Sequence, residues 1–315
     1  MIIRHPVARV VVDGRSLSSA EAAVGRVEVR LALGGEHDSA RILLWLRSRV
    51  ADIRLEAPLS IALGERDNLV DVWGGRVAQV ASGDRRVALE GLAHTAQLSR
   101  QRVTRTWQDQ TVGDIVRDLA GDAELDEVDA SLNLPWYAVD TRRTVWAHLR
   151  ELGQLVGTDL AASAAGAVRF VPARTSTATH SLRFGAEVIR WSVGELPSAS
   201  PPPVRAYGAA SEAGSQQWHW LLAEAGEGGA SISGAIRTRD AADASTRARS
   251  ERATRRARRA SVLAVGTPAV RPGDVVRLPD VPGAAADGYR VTGVLHQLDG
   301  RTGFTTTLRL EGVAA

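Results

Sequence analysis

The sequence predicts an α+β, mainly β protein: two related β-barrel domains with an α/β module inserted between them. Three observations carry this reading. Short alternating strands separated by turn residues fill roughly the first 95 residues. Amphipathic helical spacing sets in only after residue 105, and a copy of the first strand pattern returns before the carboxy terminus. A chain of 315 residues has room for two or three domains of about 100–200 residues each. The breaks divide it at 1–100, 101–200 and 201–315.

Residues 7–12 form an apolar run closed by Asp13-Gly14, a two-residue turn signal. Arg26-Val27-Glu28-Val29-Arg30-Leu31 alternates strictly, which puts one set of side chains on a core face and the other toward solvent. Residues 40–46, 59–63, 70–80 and 85–92 continue the pattern, and the breaks carry Gly, Asp and Asn. Several short strands at this spacing make a barrel or a sandwich. Thr111 then caps a segment with Ile115, Val116 and Leu119 on one face, with Asp114 as its capping-box partner. A second helix is expected over 143–156, where Val145, Trp146, Leu149, Leu152 and Val156 recur at helical steps and Gly157 supplies a stop. Residues 168–172 read as a strand, and LPSASPPP at 196–203 as a linker or rigid loop. Strand character returns at 204–208, 226–234 is loop-like, and 240–259 is a polar helix rich in Ala and Arg. Residues 273–312 are strand-rich again, with turns at Asp287-Gly288 and Asp299-Gly300.

The internal echo pairs PLSIAL at 58–63 with PGDVVRL at 272–278. Sixteen residues after each Pro come GGRVAQV at 74–80 and GYRVTGV at 288–294. Each copy ends on Leu-Glu-Gly, at 89–91 and 310–312, with a hairpin seven residues longer in the second. A period this long means two domains on one plan, not a solenoid.

Hydrophobic residues make up 44% of the chain, enough for real cores. There is no Cys, which removes disulfide frameworks and thiolate metal sites. An isoelectric point near 10.0 suggests nucleic acid, yet the formal net charge is only +3. Every basic residue is Arg, whose guanidinium does not deprotonate, so the isoelectric point rises without a strongly basic surface. A GC-rich genome accounts for the heavy use of Ala, Arg, Val and Gly. The start has no apolar run followed by a small-residue cleavage site, and no window nears ~20 apolar residues. Neither a signal peptide nor membrane insertion is expected, and the chain reads as soluble and made in the cytoplasm.

Four strings near the carboxy terminus stand in a fixed order: Arg271-Pro272-Gly273-Asp274-Val275-Val276, Gly288-Tyr289-Arg290-Val291, Val294-Leu295-His296, and Gly303-Phe304-Thr305-Thr306-Thr307-Leu308-Arg309-Leu310. With the two helices at 111–120 and 145–156, they resemble the phage late control gene D family. That family shares its hub fold with the central baseplate hub of T-even phages, with the first part of type VI secretion spike proteins, and with hubs of extracellular contractile injection systems. The resemblance covers most of the chain. It implies tube-type barrels and a homotrimer in which each subunit gives two barrels to a pseudo-sixfold ring. Such a ring joins a hexameric, sixfold tail tube to a threefold spike, among other baseplate proteins. Type VI spike proteins continue after the hub into an oligonucleotide-fold domain and a β-helix, whereas this sequence ends at Ala315, so a separate trimeric spike protein is expected. The expected setting is a phage tail or an extracellular contractile injection particle made in a bacterial cytoplasm. The expected role is structural, with no catalysis and no cofactor.

The residues offer no chemistry against that expectation. The seven His form neither an HExxH nor an H-x(3–5)-H pair, so no metal site is read. No G-x-S-x-G and no P-loop string occurs. Asp114 and Asp118 on one helix face, and the acidic stretch at 122–129, read as solvated, and His296 as a packing or hydrogen-bonding residue in a strand. Trp218 and Trp220 flank His219 on a predicted edge strand and are candidate interface residues. Seven Arg lie between Arg247 and Arg259, opposed only by Glu251. Ala241, Ala244 and Ala248, and then Ala253, Ala257 and Ala260, form small-residue stripes suited to close packing. Arg252, Arg255, Arg256 and Arg259 are therefore candidate interface residues, making salt bridges between or within subunits. A solvated face and contact with DNA or an acidic cargo are the alternatives. No aromatic residue is interleaved for base stacking, so direct nucleic-acid binding is not expected. Asp299, Gly300, Arg301 and Thr302, in the longer second hairpin, form the candidate spike-side loop. The rival functions are a nucleic-acid-binding protein built on the Arg helix and a tail-associated cell-wall hydrolase.

Overall fold

The computed structural model describes residues 5–18, 24–45, 53–173, 178–195, 205–210, 219–222, 230–232 and 234–313. The first copy of the strand plan comprises β1 (Pro6–Val12), β2 (Arg15–Ser18), β3 (Val24–Ala32), β4 (Ser39–Trp45), β5 (Pro58–Glu65), β6 (Asn68–Ser82) and β7 (Arg86–Ala93). Asp13 and Gly14 both take positive φ, the geometry that lets a two-residue turn match the twist of its strands. A 3-10 turn over His94–Ser99 leads into the module: β8 (Arg105–Thr111), α1 (Val112–Ala120), β9 (Leu125–Val128), β10 (Asn133–Val139), α2 (Val145–Val156), β11 (Thr158–Ala162) and β12 (Val168–Pro172). The remainder holds β13 (Thr179–Ser181), β14 (Val188–Glu195), β15 (Arg205–Ala210), β16 (His219–Leu222), β17 (Ala230–Ile232), α3 (Arg239–Ala257), β18 (Arg258–Val265), β19 (Val275–Arg277), β20 (Tyr289–Asp299) and β21 (Gly303–Gly312).

Thirteen strands form one sheet, whose main path runs β14-β18-β21-β20-β3-β4-β7-β6-β5-β1-β2, with β19 on β20 and β13 on β19. Two matching series lie within it. β3-β4-β7-β6-β5-β1 corresponds strand for strand to β14-β18-β21-β20-β19-β13. Irregularities fix the alignment, because an extra residue in a ladder is a local marker. β6 shifts register against β7 between Val77 and Gln79, and β20 shifts against β21 between Val291 and Gly293. Val77 exchanges backbone bonds with Glu56 N (2.8 Å) and Ala57 O (3.0 Å), and Val291 does the same with Gly273 N (2.8 Å) and Asp274 O (2.8 Å). β3 shifts against β4 between Val24 and Arg26, and β14 shifts against β18 between Val188 and Arg190. The copies differ in one direction: β1 is antiparallel to β5, while β13 is parallel to β19.

The echo in the sequence is thus partly in register. GGRVAQV and GYRVTGV align, but the two Leu-Glu-Gly ends do not. Val77 faces Gly91, and its counterpart Val291 faces Leu310, so Gly91 matches Leu310 and not Gly312. The extra length of the second hairpin is strand, not loop: β20 continues to Asp299, and Gly293–Asp299 pairs along β3.

Among the described residues no strand path closes into a barrel. The copies share a border, β20 against β3, and one apolar core runs under both. Val29, Ile42, Leu63 and Leu89 from the first copy and Val262, Tyr289, Val291 and Leu308 from the second are buried in it. Each such side chain contributes on the order of 1.5–3 kcal/mol.

The module has its own core of Ile115, Val116, Leu149, Leu152 and Phe170, joined by Ala241 and Ala242 from the start of α3. Both helices are capped as their sequences require. Thr111 Oγ1 accepts from Asp114 N (3.1 Å), Thr144 Oγ1 accepts from Ala147 N (3.3 Å), and Gly157 ends α2 at φ 74. Trp146 Nε1 donates to Gly35 O (2.9 Å), and Arg290 pairs with Asp159, which ties the module to the sheet.

Candidate functional site

The Arg-rich helix lines a cleft of about 450 Å³ between α3, the ends of β18, β20 and β21, and β11. Thr238 Oγ1 caps α3 by accepting from Ala241 N (3.2 Å). The small-residue stripe packs inward at Ala241, Ala242, Ser245 and Ala248, and a Cβ placed on Gly157 would stand 3.1 Å from that of Ala248.

The four candidate Arg do different things. Arg255 is buried, and its Nε lies 3.2 Å from Glu311 Oε1, inside the same chain. Its Nη1 has no hydrogen-bond partner among the described residues. Arg252 is half-buried; burial, and then the charges of Arg256, Arg255 and Arg249, pull it below the ordinary guanidinium value. Arg256 and Arg259 are exposed. Arg258, which the sequence did not single out, pairs with Glu195 on β14 (3.2 Å) and Asp287 (3.6 Å). Arg290 and Arg309 also line the cleft, which is strongly cationic with Asp159 and Glu311 as its carboxylates.

Trp218 lies outside the described residues. Trp220 belongs to β16, antiparallel to β15, of which the backbone alone is described. Asp299, Gly300, Arg301 and Thr302 form the turn between β20 and β21. Asp299 Oδ1 accepts from Arg301 N (2.8 Å) and Thr302 N (2.7 Å), and the bond from Thr302 is first among the causes that hold this carboxyl below its ordinary range.

The buried polar groups serve the sheet. His296 is fully buried, with Nδ1 2.9 Å from Thr306 Oγ1, and burial pushes its pKa down to about 3. Asp38 accepts from Ala32 N (2.8 Å), and burial pushes its carboxyl up to about 7. A second cleft of about 460 Å³ lies along the seam between module and sheet. Its charges are largely cross-paired: Arg169 with Glu127 (3.0 Å), and Arg290 with Asp159. Among the described residues no group of three or more metal-ligating side chains forms.

No family model and no curated protein sequence matches the chain. Solved structures do. The 43 kDa tail protein of prophage MuSo2 from Shewanella oneidensis has 12% identity and a TM-score of 0.74, with 98% of each chain covered. A tail protein from Neisseria meningitidis MC58 has 14% identity and a TM-score of 0.73, covering 98% of this chain and 96% of that one. An Escherichia coli component of the type VI secretion system, structurally similar to the bacteriophage T4 tail proteins gp27 and gp5, has 14% identity and a TM-score of 0.62, covering 91% of this chain and 73% of that one. The chain therefore has the fold of phage tail and type VI spike-related proteins.

Proposed function

We propose that the chain is the structural hub of a contractile tail or injection-machine baseplate, a member of the late control gene D group. Three copies form a ring of six related sheet units, which adapts a sixfold tail tube to a threefold spike. The observation that carries this reading is the doubled strand plan, with its two copies joined edge to edge by β20 and β3. A threefold assembly of a doubled chain presents six similar units, and cyclic closure removes exposed edges. The likeness to prophage tail proteins and to a type VI secretion component supports a tail role.

The partners are two further copies, a hexameric tube protein, a separate trimeric spike and neighbouring baseplate proteins. The chain performs no catalysis and takes no cofactor. Arg252, Arg256 and Arg259 face neighbours in the assembly, while Arg255 holds its own chain together. The 299–302 turn faces the spike. The particle is a phage tail or an extracellular injection device assembled in a bacterial cytoplasm.

The test uses a tagged chain purified with its particle and imaged. The label should sit where tube meets spike, and deleting the gene should leave tubes without spikes. A label elsewhere on the particle, or spiked tubes without the chain, would overturn the reading.

A further inference from the structure

The two copies differ at one edge. In the second copy, beyond the bulge at Val291, the side of β20 that first carries β19 is occupied by β3, with Val294 opposite Leu31 and His296 opposite Val29. In the first copy, beyond the bulge at Val77, the side of β6 that first carries β5 has no strand partner among the described residues. The strand matching β3 is β14. It pairs with β18 on one side, and among the described residues its other side carries only the isolated bridge of Val188 with Phe184. One acceptor edge and one donor strand are thus left over, and each matches half of a junction already formed inside the chain.

The surface at β14 agrees. Ile189 and Phe184 are 54% and 47% exposed, two of the five large apolar side chains that are exposed among the described residues. Trp191 stands edge-on to Phe184 at 6.5 Å. A bare edge strand with apolar neighbours is a template for pairing, and proteins that leave one uncovered risk uncontrolled association.

We infer that β14 of one subunit adds, antiparallel, to the end of β6 in the next, repeating between chains the junction that β3 and β20 make within one. This rests on the trimeric-ring reading. The bulges set the register: Val24 matches Val188 and Val77 matches Val291, so the pairing of Val29 with His296 becomes that of Val193 with Ser82, and the pairing of Leu31 with Val294 becomes that of Glu195 with Val80. The contact is heterologous, and in the proposed ring of three it alternates with the junction that each chain already spans. The first hairpin turns at 83–85, so this junction is shorter than the internal one, and the short strand addition suits assembly of separately folded subunits.

The chain has no Cys, so paired cysteines can report the junction directly. Opposed residues in an antiparallel pair have Cα atoms about 4.5–5.5 Å apart, within disulfide reach. Within one chain β6 and β14 lie seven strands apart along the sheet, so only neighbouring subunits can join. The S82C/V193C variant is assembled, oxidised and run on a non-reducing gel, with its native mass measured beside it. Complete oxidation should give a covalent trimer that reverts to monomer with reductant. E28C/Q297C, opposed across β3 and β20, should close within the chain and leave a monomer band. A native trimer with no S82C/V193C crosslink, while the control closes, would overturn the junction and leave the ring reading standing. A chain that is monomeric alone and single in the assembled particle would overturn both.

Discussion

The first and second copies of the strand plan reach the same strand order with different fillings. Trp73 in the first copy is buried against Gly75 and Gly91; a Cβ at Gly91 would lie 2.6 Å from its ring. At the matching positions the second copy has Tyr289 and Leu310, both buried, and no Trp. Where the first copy has half-buried Leu92 on the outer face of β7, the second has Glu311, paired with Arg255 of α3. Where the first copy ends in an exposed turn after Ser82, the second extends its hairpin and buries His296. A sheet plan tolerates such exchanges because it fixes alternation and register, while volume and charge are settled locally with whatever packs on top.

The exchange at Trp73 predicts the largest effects. Trp73→Ala should cost about 3–5 kcal/mol through the cavity it leaves. Gly91→Leu should cost about 1–3 kcal/mol by overpacking. Combined, they should cost clearly less than their sum, because the new Leu enters the space the indole leaves; denaturant unfolding checks this, and additive losses would mean the two fillings are not equivalent. The ion pair comes next. Arg255→Ala should cost about 3 kcal/mol by leaving Glu311 unpaired, whereas Arg255→Met with Glu311→Leu, which imports the first copy's apolar solution, should be near neutral. Arg256→Glu, at an exposed position, should leave thermal stability almost unchanged and act only on assembly.

A smaller, pH-dependent difference belongs to His296. Its folded pKa is lowered, from 6.5 to about 3, so between those values the unfolded chain holds a proton that the folded chain lacks. Stability from this group is complete above pH 6.5 and falls as pH drops, by up to about 1.4 kcal/mol per pH unit. Melting of wild type and His296→Gln from pH 7.5 to 5 should show the shallower slope in the variant. Asp38 works oppositely: its raised pKa means stability is lost as pH rises from 3.8 toward about 7. Asp38→Asn should therefore steepen the acid dependence. The smallest effect on folding is expected from deleting residues 299–302 and rejoining the hairpin, which should weaken spike retention more than tube attachment; equal loss of both would place the spike elsewhere.

The sequence displays some of this and hides the rest for physical reasons. β3, β4 and β7 alternate cleanly because one face is core and one is solvent, and α1 and α2 carry caps and stripes. β14 is nearly invisible: it is an edge with only Val188 buried, so little alternation survives. β18 follows α3 without a turn, and Arg258 and Arg259 continue the helix composition into the strand. The Leu-Glu-Gly echo misleads by two residues because a slip of two leaves a strand's inward and outward sets unchanged. The burial of Arg255 depends on Glu311, 56 residues away, which no local pattern encodes. The helix composition suits salt bridges between or within subunits; Arg255 makes one within the chain, Arg252 is half-buried, and Arg256 and Arg259 are exposed.

The proposed ring, in which one chain supplies two of six units, can be seen by electron cryomicroscopy of the assembled particle. Expected are three chains in threefold symmetry, with six strand series at nearly sixfold spacing and β3–β20 junctions alternating with β14–β6 junctions around the ring. Six separate chains at that level, or three chains whose copies are stacked rather than side by side, would contradict it.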